Sequence, residues 1–371
     1  MSAEDINVFT PVFVHKNDKK LNSIDHVSGK IFVIGDKKGS VMLYEFNPKK
    51  QQSFMSCEPM KLSSYMITRV ISLSKDKLIV AALTKNGELH CIDFIQKKSA
   101  IVAKGVSSIS FYPGDTTPDN RSKLFAVLKK KGVAFELDLN KDNPQAIFTP
   151  VKEYNFPSVP DLVVWHKKCI CVAFEGREYS MLDYESGKMK SNIKPYVTVL
   201  DDNPIIRIVD EDEIMFLTKV GKDYLGQFLT SSGDICQKSN LAIQDVKGIK
   251  DILATSKHII VLLKNHWLLV YTKTDVSFLQ TIKIPNTGNY VFISTSMDEV
   301  FICTRFNVYY LHLKPYETQI KECLEKCKGR EALSIFDCYH SSTYKDRDLR
   351  KMRLNYEISW AYLEKKMYNE A

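Results

Sequence analysis

Residues 30–46, KIFVIGDKKGSVMLYEF, are two apolar runs separated by a short Gly/Asp/Lys turn, and stretches of the same build recur along the chain. KLIVAALTKNGELHCIDF (77–94), KLFAVLKKKGVAFELDL (123–139), KCICVAFEGREYSMLDY (168–184), EIMFLTKVGKDYLGQFL (213–229), HIIVLLKNHWLLVYT (258–272) and EVFICTRFNVYYLHL (299–313) complete a set of seven. Their first-run anchors, Ile31, Leu78, Leu124, Cys169, Ile214, Ile259 and Val300, stand 41 to 47 residues apart. A fixed period in that range belongs to propellers and solenoids.

Each first run is apolar at consecutive positions, as a strand must be when both of its faces are covered. Second runs often alternate, as Val41 and Leu43 do against Met42 and Tyr44. The linkers carry Gly39, Gly87, Gly132, Gly176, Gly221, Asn265 or Asn307, residue types that tolerate the positive φ of tight turns. Weaker strands flank each hairpin: upstream at 23–27, 67–73, 107–112, 162–166, 205–210, 249–254 and 290–295, downstream in pieces such as 99–104, 146–151 and 276–284. Four strands in each of seven repeats predict an all-β chain, a seven-bladed β-propeller over residues 1–315. The seventh hairpin lacks a downstream strand, while NVFTPVFVH (7–15) is an orphan at the other end. Pairing the two closes the ring and removes an open edge.

From Pro315 the period changes. Ile320, Cys323, Leu324 and Cys327 follow the i, i+3, i+4, i+7 spacing of an amphipathic helix, with Gly329 as its C-cap. Glu331–Tyr339 continues as a second helix. Thr343 then reads as an N-cap with Asp346 in the capping-box position, and Leu349, Met352, Tyr356, Trp360, Leu363 and Met367 form an apolar seam. Residues 316–371 are therefore expected to open an α-solenoid that continues beyond this chain.

Chemistry is hard to find. Cys323, Cys327, Cys338 and His340 can be drawn as a metal site, but the first pair falls on an apolar helix face, where Cys behaves as a small hydrophobe. Cys169 and Cys171 share one face of a strand and are expected in the core. Asp201-Asp202 and Asp210-Glu211-Asp212 come from a single repeat and read as solvated loops. GDKKGS (35–40) lacks the Gly-Lys-[Ser/Thr] ending of a P-loop, and there is no Gly-x-Ser-x-Gly elbow or HExxH. The expectation is a protein that is not an enzyme and carries no cofactor or metal; a propeller hydrolase stays open as an alternative. The repeats also lack the Gly-His and Trp-Asp dipeptides of WD40 blades.

The net charge of +8 comes from scattered residues. Runs such as Lys37-Lys38 and Lys129–Lys131 fall in turns, and no basic stripe with interleaved aromatics suggests nucleic-acid binding. Nine cysteines, an odd number and mostly isolated, do not make a disulfide framework. The sequon at Asn120 then reads as a chance match. No secretory leader is visible, and the densest apolar stretch, 258–271, is broken by Lys264, Asn265 and His266. A soluble, cytosolic chain is expected, reaching membranes through partners or its surface.

Three stretches carry a resemblance: FTPVFVHKNDKKLNSIDHVSGKIFVIGDKKGSVMLYEF (9–46), SVPDLVVWHKKCICVAFEGREYSMLDY (158–184) and TQIKECLEKCKGREAL (318–333). They are similar to the citron-homology (CNH) propellers, and more narrowly to the CNH-bearing subunits of the HOPS and CORVET endolysosomal tethering complexes. The resemblance implies a seven-bladed propeller leading into an α-solenoid. It also implies a cytosolic protein recruited to late endosomes or lysosomes, where it would bind a late-endosomal Rab GTPase in its GTP form alongside other HOPS subunits. The HOPS-type subunit is favoured over the early-endosomal CORVET paralogue; a CNH scaffold of another small-GTPase pathway is the further alternative. The resemblance assigns no binding residue. From the residues alone, the basic cluster Arg347, Arg350, Lys351 and Arg353 beside the seam is the candidate partner contact.

Overall fold

The apolar runs become strands covered on both faces. All six residues of Ile79–Thr84, Cys169–Phe174 and His258–Leu263 are buried. In the computed structural model these strands belong to a ring of seven antiparallel sheets. The structure describes residues 5–16, 20–28, 31–47, 50, 52–74, 76–112, 122–174, 179–190, 204–236, 240–284, 291–296, 299–340 and 346–365.

Blades 1 to 6 run in chain order from the innermost strand outward. Their innermost strands are Leu21–Ser28, Ile67–Ser74, Val106–Phe111, Pro160–His166, Ile206–Ile208 and Ile249–Ala254. Blade 7 consists of Val291–Ser296, Glu299–Thr304 and Asn307–Leu313, and its fourth strand is Phe9–Lys16 from the start of the chain. That strand runs antiparallel to Asn307–Leu313, with Phe9 opposite Leu313 and Lys16 opposite Asn307. The predicted closure is therefore the observed one. Leu21–Ser28 packs against both Ile67–Ser74 and Val291–Ser296, so the first and last blades also meet at the centre.

The predicted hairpins match strand for strand, whereas the flanking strands differ in detail. Residues 146–147 end a 3-10 turn, Pro144–Ile147, whose N-cap Asn143 accepts from the Gln145 N–H, and the strand begins at Phe148. The outer strands of blades 1, 4 and 5 are short: Gln52–Met55, Met189–Lys190 and Leu241–Ile243. The innermost strands of blades 1, 2, 3, 4 and 6 slip register near their start, setting Asn22, Thr68, Ser107, Asp161 and Lys250 out of the ladder. Such bulges raise local twist, and each of these five residues is polar. Asn22 Nδ2 donates to the Ile67 carbonyl of the next blade at 2.7 Å.

The turns correct part of the sequence reading. Gly39 does adopt φ +85°, in a turn held by Asp36, whose carboxylate accepts the Lys38 and Ser40 N–H groups at 2.9 and 2.7 Å. At the third hairpin Lys129 takes the left-handed position instead of Gly132, and at the sixth His266 does so instead of Asn265. Asn307 is the first residue of a strand. Gly132 is needed for packing: a Cβ there would stand 2.3 Å from the Phe125 ring. Gly176, Asp201-Asp202, Asn120, Thr343 and Met367 lie outside the described residues.

Three helices follow: α1 (Tyr316–Glu325), α2 (Gly329–Tyr339) and α3 (Arg347–Glu364). Gly329 does not cap α1. Lys326 does, Cys327 turns the chain at φ 52°, and Gly329 opens α2, where a Cβ would stand 2.6 Å from Ile358. Asp346 is the N-cap of α3 in a left-handed conformation, and its side chain makes no capping bond. The largest correction concerns the seam. Leu349, Met352, Tyr356, Trp360 and Leu363 are 45 to 68% exposed, and α3 packs through Leu354 and Ile358 instead. Two apolar stripes run along this helix, and the inner one, with Tyr362 packed against it, is the shorter.

Candidate interaction surface

Two places gather polar side chains with defined geometry: the central channel, and the junction between helices and ring. The channel is a cavity of about 370 Å³ lined from the innermost strands of six blades. Its charged groups are Asp25, Arg69, Arg207 and Asp251. Arg207 Nε donates to the Ile252 carbonyl at 2.6 Å, and its other nitrogens reach the Ile206 carbonyl and the Asp251 carboxylate. Asp25 accepts from the Ser72 N–H at 2.8 Å. Asp25, Arg207 and Asp251 thus hold neighbouring blades to one another. Among the described residues the remainder of the wall is largely aliphatic.

The junction is more elaborate. One core runs without a break from Ile6, Val8 and Phe9 through blades 6 and 7 to Ile320, Cys323, Ile335 and Phe336 of the helices. Around it, Asn7 donates to Glu322 of α1 from both its main chain (3.1 Å) and its side chain (2.7 Å), and Lys326 reaches the Asp5 carbonyl. Ser334 of α2 donates to Thr272 Oγ1 at 3.0 Å and also reaches Asp275. Burial works against the Asp275 charge, but the bonds from Ser334, Thr272 and Ser277 outweigh it and hold its carboxyl below the usual range. Glu322 is lowered similarly, its burial outweighed by Lys326 and Asn7. Ring and helices thus form one body.

The four basic candidates separate into two pairs. Arg347 and Lys351 both engage Asp337 of α2, at 2.5 and 3.0 Å, and so fasten α3 to its neighbour. Arg353 pairs along its own helix with Glu357 at 3.1 Å, and Arg350 is exposed. Cys323 and Cys338 are buried, and none of the nine cysteines is in a disulfide. Among the described residues no group of three or more His, Cys, Asp or Glu side chains could hold a metal ion. Cys169 and Cys171 share a core with Met181 and Phe216; a hydrogen bond between the two thiols draws that of Cys169 down and, together with burial, pushes that of Cys171 up. Asp210 and Asp212 are exposed yet bridge to Lys273 and Lys167. Among the described residues no helix is long and apolar enough to cross a membrane.

The sequence reading missed the channel contacts and the inward stripe of α3. The signal for that stripe was present, because Leu354 and Ile358 form a second apolar spacing between the seam positions. No protein-family model matches the chain, and no curated protein matches it. The chain is a seven-bladed β-propeller with three C-terminal helices.

Proposed function

We propose that the chain is a non-enzymatic interaction subunit of an endolysosomal tethering complex of the HOPS type, binding a late-endosomal Rab GTPase in its GTP form. Support comes from the order of parts: a closed seven-bladed ring passes directly into helices that share its core. The three stretches of resemblance fall on the closing strand and first hairpin, on the start of blade 4, and on α1 with the first turn of α2. A propeller suits this work because its loops present broad, rigid surfaces without needing a reactive pocket. Membrane association would then be peripheral and pass through partners. Expressed in cells as a fluorescent fusion, the chain should gather on late endosomes when a GTP-locked late-endosomal Rab is present and disperse with the GDP-locked form. Recruitment by an early-endosomal Rab would favour the CORVET-type alternative, and indifference to both would remove the Rab reading.

A further inference from the structure

The outward face of α3 meets the end of α1 in a groove of about 460 Å³. Its apolar walls are Leu324, Tyr356, Trp360 and Ala361, and its charged rim is Glu325, Glu357, Glu364 and Lys365. The chain as a whole carries +8, yet this groove is rimmed by three carboxylates and one ammonium. The ammonium is occupied, because Lys365 Nζ donates to the Glu325 carbonyl at 2.7 Å and closes the end of α1. Glu364 accepts from the Trp360 indole N–H at 2.7 Å, which fixes the ring across the groove. Glu325 and Glu357 are held by Lys321 and Arg353 in exposed i, i+4 pairs, weak contacts readily exchanged for another cation.

The apolar part is long as well as deep. Leu349, Met352, Tyr356, Trp360 and Leu363 are exposed at spacings of three and four, the pattern that receives a facing amphipathic helix through its own i, i+3, i+4, i+7 anchors. Exposed Trp and Tyr are the side chains most often found at the centre of such contacts. We propose that this groove docks an amphipathic helix of a partner protein whose flanks are basic. Its Leu-type anchors would fill the space between Leu324, Tyr356 and Trp360. Its Lys or Arg side chains would reach Glu325, Glu357 and Glu364, with a cation over the Trp360 ring as a further contact. This assignment is independent of the Rab reading: it concerns another surface and stands or falls alone. It differs from the basic cluster singled out in the sequence: Arg347 and Lys351 face Asp337, whereas the groove lining holds three carboxylates to one ammonium.

The test uses the 371-residue chain and two fluorescent model helices as long as α3, with identical Leu faces and either Lys or Glu on the flanks. Anisotropy titrations should show the Lys helix binding at least about tenfold tighter than the Glu helix, and high salt should narrow the gap. Trp360→Ala should weaken the Lys helix about tenfold or more, and Glu357→Lys combined with Glu364→Lys should reverse the preference. All three positions are at the surface, and an unchanged melting curve checks that each variant folds. No binding of the Lys helix, equal binding of both helices, or insensitivity to Trp360→Ala would overturn the proposal. So would a concentration-dependent dimer abolished by Trp360→Ala, which would give the face to a second copy of the chain.

Discussion

Gln280, on the outer strand of blade 6, grips the main chain of Phe9 on both sides: its Oε1 accepts the Phe9 N–H at 2.8 Å and its Nε2 donates to the Phe9 carbonyl at 3.0 Å. The same oxygen accepts the Val8 N–H at 2.8 Å. One buried amide thus fixes the point where the N-terminal segment leaves blade 6 and enters blade 7. Replacing Gln280 with Leu strands two N–H groups and a carbonyl in a buried site, each costing about 1–3 kcal/mol. The expected loss is about 3 kcal/mol in denaturant titration, and a value within error of the parent would contradict this role.

Removing residues 1–15 takes away nearly all of the fourth strand of blade 7 and leaves Asn307–Leu313 as an open edge. The shortened chain should aggregate or melt roughly 10 °C lower or more, since each kcal/mol shifts the midpoint of a large domain by a few degrees. An unchanged melting temperature would show that the ring does not depend on this closure.

Gly132→Ala forces a methyl group into the Phe125 ring, with Phe156 at 2.8 Å behind it. Overpacking of that kind costs about 1–3 kcal/mol. Gly105→Ala is the control: nothing stands within 4 Å of a Cβ there, and only its φ of +75° opposes the change. Thermal melts should rank Gly132→Ala as the more damaging, and the reverse order would contradict the packing account.

Asp275 has its carboxyl lowered in the folded chain, chiefly by bonds from Ser334, Thr272 and Ser277 acting against burial. A group lowered on folding gives stability that is complete above its unfolded value, about 3.9 for Asp, and that is lost as the pH falls through the lower folded value. Hydrogen exchange in α2 should therefore accelerate across this acid window. In Ser334→Ala the pH-dependent part should shrink, because one of the bonds that lowers the carboxyl is gone; an identical profile would contradict it.

Asp337→Asn removes the acceptor charge shared by Arg347 and Lys351. Exchange along α3 should rise while the propeller strands keep their protection, because the contact joins two helices and no blade. Equal loss of protection in both regions would mean that α3 is not separately fastened.

The ring could be read from the chain because its signal is redundant. Seven hairpins at one spacing outvote any single ambiguous strand, and the lack of a final outer strand pointed to residues 7–15, where the structure has the strand Phe9–Lys16. The bulges at Asn22, Thr68, Ser107, Asp161 and Lys250 left no mark, since a displaced polar residue resembles ordinary alternation. Gly132 was taken for a turn residue because the letter does not distinguish freedom of φ from lack of room. On α3, spacing alone found the apolar stripe but not its direction. The stripe at Leu354 and Ile358 is the one that meets α1 and α2, and which of two stripes turns inward is decided by tertiary packing. The surroundings of the basic cluster are set in the same way: Asp337, ten residues before Arg347, becomes its neighbour only once α2 and α3 fold together.

A Rab-binding tether subunit must bind in a nucleotide-dependent way. The measurement is an equilibrium titration of the purified chain against late-endosomal and early-endosomal Rabs, each loaded with a GTP analogue or with GDP. Saturable binding of the late-endosomal Rab in its GTP form is expected, with at least about tenfold weaker binding of its GDP form. Equal affinity for the two nucleotide states, or no binding of any of the four samples, would contradict it.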